Sequence, residues 1–178
     1  MVDNVDSATR SRMMSGIRGR DTKPEKMIRS LLHAKGFRFR VNRKDLPGKP
    51  DVVFSGLRAV IFVHGCFWHG HDCPLFRLPG TRTEFWAEKI SKNRHNDAKV
   101  TQALLNAGWR VGTVWECALR GHGRDIPGVV EGLAVWLRSG IPTIELRGAG
   151  TVAAGATANA VPTSSSNPAP RLGLPVRL

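Results

Sequence analysis

Apolar positions follow short, distinct periods along the first 147 residues and no period after them. In "TKPEKMIRSLLHAKG" (22–36), Met27, Ile28, Leu31 and Leu32 recur at three- and four-residue steps, which predicts an amphipathic helix with these four as its buried stripe. Thr22 or Asp21 can cap it, Pro24 suits its first turn, Gly36 can end it, and Glu25 then lies in the first turn. "FRFRV" (37–41) alternates apolar and basic positions and predicts a half-buried strand. After the loop "DLPGKP", the runs "DVVFS" (51–55) and "RAVIFV" (58–63), with a turn at Gly56, predict a hairpin. A long helix is predicted from about Glu84 to Asn106, with an inner face running Trp86, Ile90, Asn93, Asp97, Val100 and Leu104. "RVGTVWE" (110–116) predicts a strand leading to Cys117, and residues 126–138 predict a last helix weakened by its glycines. Helices and three or four strands in mixed order predict an α/β domain with a mixed β-sheet flanked by helices.

Residues 1–20 are polar and basic, with Met13, Met14 and Ile17 spaced as one short apolar face. From 148 onward small residues, Ser and Pro replace any periodicity, which predicts a disordered tail. The expected organisation is a basic arm (1–20), one domain (21–147) and that tail (148–178). No window approaches the roughly 18–20 apolar residues of a membrane span, and no apolar leader core is visible, so export is not expected.

Charge sharpens this outline. The net charge is +13, and residues 1–44 carry twelve Lys/Arg against four Asp/Glu, a net +8. A charge concentrated at one end suits a polyanion such as nucleic acid, although a solvated surface would have the same composition. The three cysteines, Cys66, Cys73 and Cys117, are an odd number without an export signal, so metal ligation is a better default than a disulfide framework.

The chemistry concentrates in "VHGCFWHGHDCP" (63–74). Cys66, His71 and Cys73 lie within eight residues of one another, and Cys117 ends a strand that could lie beside the one ending at Val63. Together they make a Cys₃His set for a closed structural zinc; buried free thiols are the alternative. His64 and His69 are left over, held by the loop and available as acid, base or hydrogen-bond donors to a phosphate. Asp51 opens a strand after Pro50, where a carboxylate suits Mg²⁺ and the Val63 carbonyl could add an oxygen. Taken alone, Asp51 reads first as a turn aspartate. Asn93 and Asp97 interrupt the apolar stripe of the long helix, a costly placement unless they face something polar such as a hydrated metal; solvent is the alternative. Glu25 could face the same cleft.

"ATRSRMMSGIRGRDTKPE", "LPGKPDVVF", "AVIFVHGCFWHGHDCPLFRLPGTRTEFWAEKI" and "GWRVGTVWECALRG" together resemble the very short patch repair (Vsr) mismatch endonucleases, in order over about residues 7–122. The resemblance implies a restriction-endonuclease-like fold with a structural zinc. It also implies Mg²⁺-dependent nicking of double-stranded DNA 5′ of the T in T:G mismatches left by 5-methylcytosine deamination. Carried over position by position, Asp51 and the Val63 carbonyl would hold Mg²⁺. His64 and His69 would be the catalytic histidines, with His69 the general base, and Glu25 and Asp97 outer groups. Cys66, His71, Cys73 and Cys117 would hold Zn²⁺. Phe67, Trp68 and Trp86 would be an aromatic wedge in DNA, with Met14 and Ile17 entering the minor groove from the other side. Val63 stands where a threonine is expected, and Gly70 and Asp72 where some members have histidines.

The resemblance further implies a bacterial cytoplasmic enzyme, monomeric on asymmetric DNA, with interplay with mismatch-repair proteins such as MutL. Two rival readings remain at this level: a restriction-type nuclease of the same fold acting on unmismatched or modified DNA, and a non-catalytic zinc-stabilised DNA-binding module.

Overall fold

Strand alternation sorts the core into two layers, one on each face of a mixed sheet. The computed structural model describes residues 6, 9, 19–121, 124–148 and 151–153. Five strands lie in chain order: β1 (Val52–Phe54), β2 (Ala59–His64), β3 (Arg110–Trp115), β4 (Thr143–Arg147) and β5 (Thr151–Ala153). The outer pairs, β1·β2 and β4·β5, are antiparallel, and the inner pairs, β2·β3 and β3·β4, are parallel. The helices are α1 (Lys23–Ala34), α2 (Thr83–Asn106), the single turn α3 (Glu116–Leu119) and α4 (Ile126–Arg138).

Val52, Phe54, Ile61, Val114, Ile144 and Leu146 turn to one face, where they pack with Ile28 and Leu32 of α1 and Val129, Leu133, Trp136 and Leu137 of α4. Val53, Val60, Phe62 and Val111 turn to the other face, where Leu104 of α2 and Trp109 cover them. Each such fully buried side chain contributes about 1.5–3 kcal/mol of transfer free energy. α2 is the crossover between the parallel strands β2 and β3; its C-terminal part, at Leu104, covers Val60 and Val111 near the strand starts, while Asp97, farther up the helix, reaches the carboxyl end of β2.

The periodic segments fold as their patterns predict. Thr22 caps α1 by accepting from the Glu25 N–H, and the stripe of α2 is buried or half-buried at all six expected positions. Four points differ. Met27 and Leu31 are not buried in α1; the inner face is Glu25, Ile28 and Leu32, so a carboxylate occupies a core-facing position. "FRFRV" forms no strand: Arg40 alone bridges Val53, because three-residue β1 offers no longer partner and Asn42 turns the chain away at φ +51°. Phe37 and Phe39 instead meet Phe54 edge-on. β4 was not expected, and β5 lies within the segment expected to lack structure. Met14 and Ile17 lie outside the described residues.

Candidate functional site: a carboxylate cleft beside a thiol cluster

The parallel register of β2 and β3 sets Val63 against Val114 and His64 against Trp115, bringing the loop after β2 next to the start of α3. There the ligand atoms of Cys66, His71, Cys73 and Cys117 all lie within 4.8 Å of one another. The His71 Nδ1 is 3.6 Å from the Cys66 sulfur and 3.5 Å from the Cys117 sulfur. A tetrahedral zinc with ordinary Zn–S and Zn–N bonds requires sulfur–nitrogen edges of about 3.6 Å, so the donor set fits that ion. Burial pushes the Cys66 and Cys117 thiols up, away from the thiolate form, and a cation is what would draw them back. The loop closes on itself through His71 N–H to the Cys66 carbonyl and Cys73 N–H to the His71 carbonyl. Gly70 sits at φ +60°, and a Cβ there would come within 2.5 Å of the Ile90 side chain, so a glycine suits both the backbone conformation and the close approach of this loop to α2.

On the other side of β2 lies a cleft of about 480 Å³. Asp51, Val63, His64, His69, Asp97 and Glu25 all line it, so the acidic and imidazole residues singled out from the sequence share one space. Lys44, Lys49 and Arg20 line it too. Asp51 accepts from the Val63 N–H at 2.8 Å, and burial raises its carboxyl to about 6 despite that bond. His69 Nδ1 lies 2.6 Å from the Asp97 carboxylate, carried in from α2. His64 stacks flat on His69, ring centroids 3.9 Å apart and 4° between planes. Burial first, then the neighbouring His69, lower His64 to about 4, so it is neutral at pH 7.

Glu25 accepts from the Asp21 N–H, the Thr22 hydroxyl and the Arg29 guanidinium, and Arg29 also donates to the Asp51 carbonyl. The start of α1 is thereby tied to Asp51, the residue just ahead of β1. Arg29 was not anticipated; its i,i+4 spacing from Glu25 was the available signal. Gly48, at φ +71° with Val100 2.4 Å from where a Cβ would sit, lets the preceding loop pass under α2.

Asn93 does not face the cleft: its amide donates to the Trp68 carbonyl at 2.7 Å, pinning the loop to α2. Asp97 does face the cleft. Phe67, Trp68 and Trp86 meet at 5.1–6.1 Å as a half-buried cluster, with the Lys89 ammonium over both tryptophans. They are not core residues. The described residues contain no helix long and apolar enough to cross a membrane.

A part-buried carboxylate and a carboxylate-bound imidazole share one basic-rimmed cleft on a mixed α/β sheet, a setting suited to acid–base chemistry on an anion. Known proteins narrow the class. The family model "DNA mismatch endonuclease Vsr" matches residues 2–75. The chain is 55% identical over 122 residues to the DNA mismatch endonuclease Vsr of Escherichia coli, covering 68% of this chain and 78% of that one. It is 50% identical over 119 residues to the type II nicking enzyme V.XorIIP of Xanthomonas oryzae (67% and 88% covered). It is 44% identical over 120 residues to the type II nicking enzyme V.NmeAIP of Neisseria meningitidis (67% and 86%). The protein belongs to the Vsr family of DNA mismatch endonucleases, and is a nuclease.

Proposed function

We propose that this protein nicks one strand of double-stranded DNA 5′ of the T in a T:G mismatch, in a Mg²⁺-dependent reaction leaving a 3′-hydroxyl and a 5′-phosphate. The observation that carries the reading is the His69–Asp97 pair opening into the same cleft as Asp51. With the Asp97 carboxylate accepting at Nδ1, the His69 proton resides there and Nε2 keeps a free lone pair, the form a general base needs. His69 then takes a proton from the attacking water. His64, neutral and stacked on it, holds its ring plane and offers a hydrogen bond to the phosphate. Asp51 and the Val63 main-chain carbonyl would hold the Mg²⁺, which when bound supplies positive charge against the charge developing on phosphorus. Val63 in place of threonine leaves that carbonyl unchanged.

Cys66, His71, Cys73 and Cys117 would hold a zinc that makes the loop rigid, and Phe67, Trp68 and Trp86 use that rigidity to wedge between base pairs. Wedging costs less at a mismatch, where stacking and pairing are already weak, so deformability contributes to selection. The fold is read as restriction-endonuclease-like, with the "FVH" run (62–64) in the place of that fold's usual second carboxylate and lysine. The relatives named as type II nicking enzymes support a single-strand cut. DNA tracking is supported by Arg38 and Arg40, which the inward packing of Phe37 and Phe39 leaves exposed, leading towards Asn42 and Lys44 in the cleft. MutL is proposed as a partner on family grounds.

The test is strand-resolved cleavage, with Mg²⁺, of T:G and T:A duplexes of otherwise identical sequence. Nicking confined to the T strand of T:G duplexes is expected. Equal cutting of T:A would favour the restriction-type reading, and no cutting at any mismatch would favour the non-catalytic module.

A further inference from the structure

The stacked histidines form a wall with a cavity on each side. The cleft that holds Asp51 is on one side. On the other is a smaller cavity of about 220 Å³, lined by His64, His69 and Asp97 together with Arg94, Thr113, Trp115 and Glu145. Trp115 stands at the joint between the thiol cluster and this wall. Its indole stacks on His71, centroids 4.1 Å apart and 13° between planes, and presents its edge to His64 at 5.4 Å and His69 at 6.3 Å.

The indole is itself held. Trp115 Nε1 donates to the Glu145 carboxylate at 2.6 Å, and Arg147 donates to the same oxygen at 2.8 Å. Both acceptor and clamp come from β4, whose register sets Glu145 opposite Thr113 on the face where Trp115 lies. A charge-assisted bond of this length orients a ring more firmly than packing alone, because one direction of the indole satisfies it.

We propose that Trp115 and Glu145 are positioning residues for the nicking reaction: Glu145 fixes the indole, and the indole transmits the rigid geometry of the His71 loop to the His64–His69 pair. Neither residue touches the phosphate; they act by keeping two imidazoles in the plane that proton transfer requires. Small errors in such placement cost rate rather than substrate binding. The inference rests on the reading that His64 and His69 serve the cut.

The experiment measures single-turnover nicking at saturating T:G duplex, duplex affinity, zinc per chain and the indole N–H resonances, for Glu145→Ala, Glu145→Gln, Trp115→Phe, the Trp115→Phe/Glu145→Ala double variant and His69→Ala. Glu145→Ala is expected to slow nicking about tenfold or more, with affinity and zinc at wild-type values and one indole N–H signal moved upfield. Glu145→Gln keeps an acceptor oxygen and should recover most of the rate. In the Trp115→Phe background, which lacks the N–H, Glu145→Ala should add nothing. The proposal is overturned by a full rate in Glu145→Ala, by zinc or affinity falling in step with rate, or by additive losses in the double variant. If instead His69→Ala nicks normally, the reading of the cleft itself fails.

Discussion

Two clusters of metal-type donors flank the end of β2, and they are built in opposite ways. The thiol cluster gathers soft donors from one tight loop and the single turn α3 that follows β3, with Cys66, His71 and Cys117 buried. The cleft gathers oxygen and nitrogen donors from β2, the loop after it, α2, the start of α1 and Asp51 just ahead of β1, and it stays open. A closed soft site can only hold structure; an open, harder one leaves room for water and a phosphate. The comparison teaches that the six-residue span 66–71 serves both. Its cysteine and last histidine turn towards the cluster, and His69 turns to the cleft.

The strongest way to break the comparison is to open the closed side. Cys117→Ser should cost the zinc, the loop geometry and at least a thousandfold in nicking together, read by elemental analysis and single-turnover kinetics, because binding and folding are one free energy at such sites. A variant that keeps full activity without metal would contradict the structural role.

Next comes the open side. Asp51→Asn should bind a T:G duplex but lose nicking by a thousandfold or so. It should also stabilise the metal-free protein at pH 7.5. The carboxyl of Asp51 is raised to about 6 in the fold from 3.8, so its contribution to stability is full below pH 3.8 and is lost as pH rises through 6. At pH 7.5 the ionised form costs about 3 kcal/mol as an upper figure. Urea unfolding should therefore show the Asn variant ahead at pH 7.5 and level with wild type below pH 4. Equal stability at both values would contradict this burial cost.

The wedge gives a smaller effect. Trp68→Ala should narrow the T:G over T:A binding ratio by about 1–3 kcal/mol, checked by competition binding, while leaving zinc in place. An unchanged ratio would leave the wedge without a role. Smallest is the basic strip: Arg38→Gln with Arg40→Gln should flatten the salt dependence of duplex binding by roughly 0.9 for each phosphate no longer neutralised, and alter T:G and T:A equally.

How much of this was legible depended on whether a residue's neighbours are near in sequence. The Cys₃His set was readable because three of its four donors sit within eight positions, and α2 because a helical period kept over a 24-residue helix leaves little ambiguity. Asn93 was correctly read as facing something polar, but the partner is the Trp68 carbonyl rather than a metal's water. Glu145 was invisible, because its place beside Trp115 comes from the β3·β4 register; Thr143–Arg147 alternates at every position, but over only five residues, and the alternation alone does not say which strand it joins. "FRFRV" misled for a related reason: its alternation is real, with Phe37 and Phe39 inward, but pairing needs a partner strand long enough to accept it.

The central claim is that one cation holds the loop while another, exchangeable one serves the cut. It is tested most directly by elemental analysis of enzyme silenced with a mild chelator and then supplied with Mg²⁺ alone. The account predicts one zinc per chain throughout, with nicking lost and then restored. Zinc leaving with the activity, or Mg²⁺ failing to restore it while zinc remains, would contradict it.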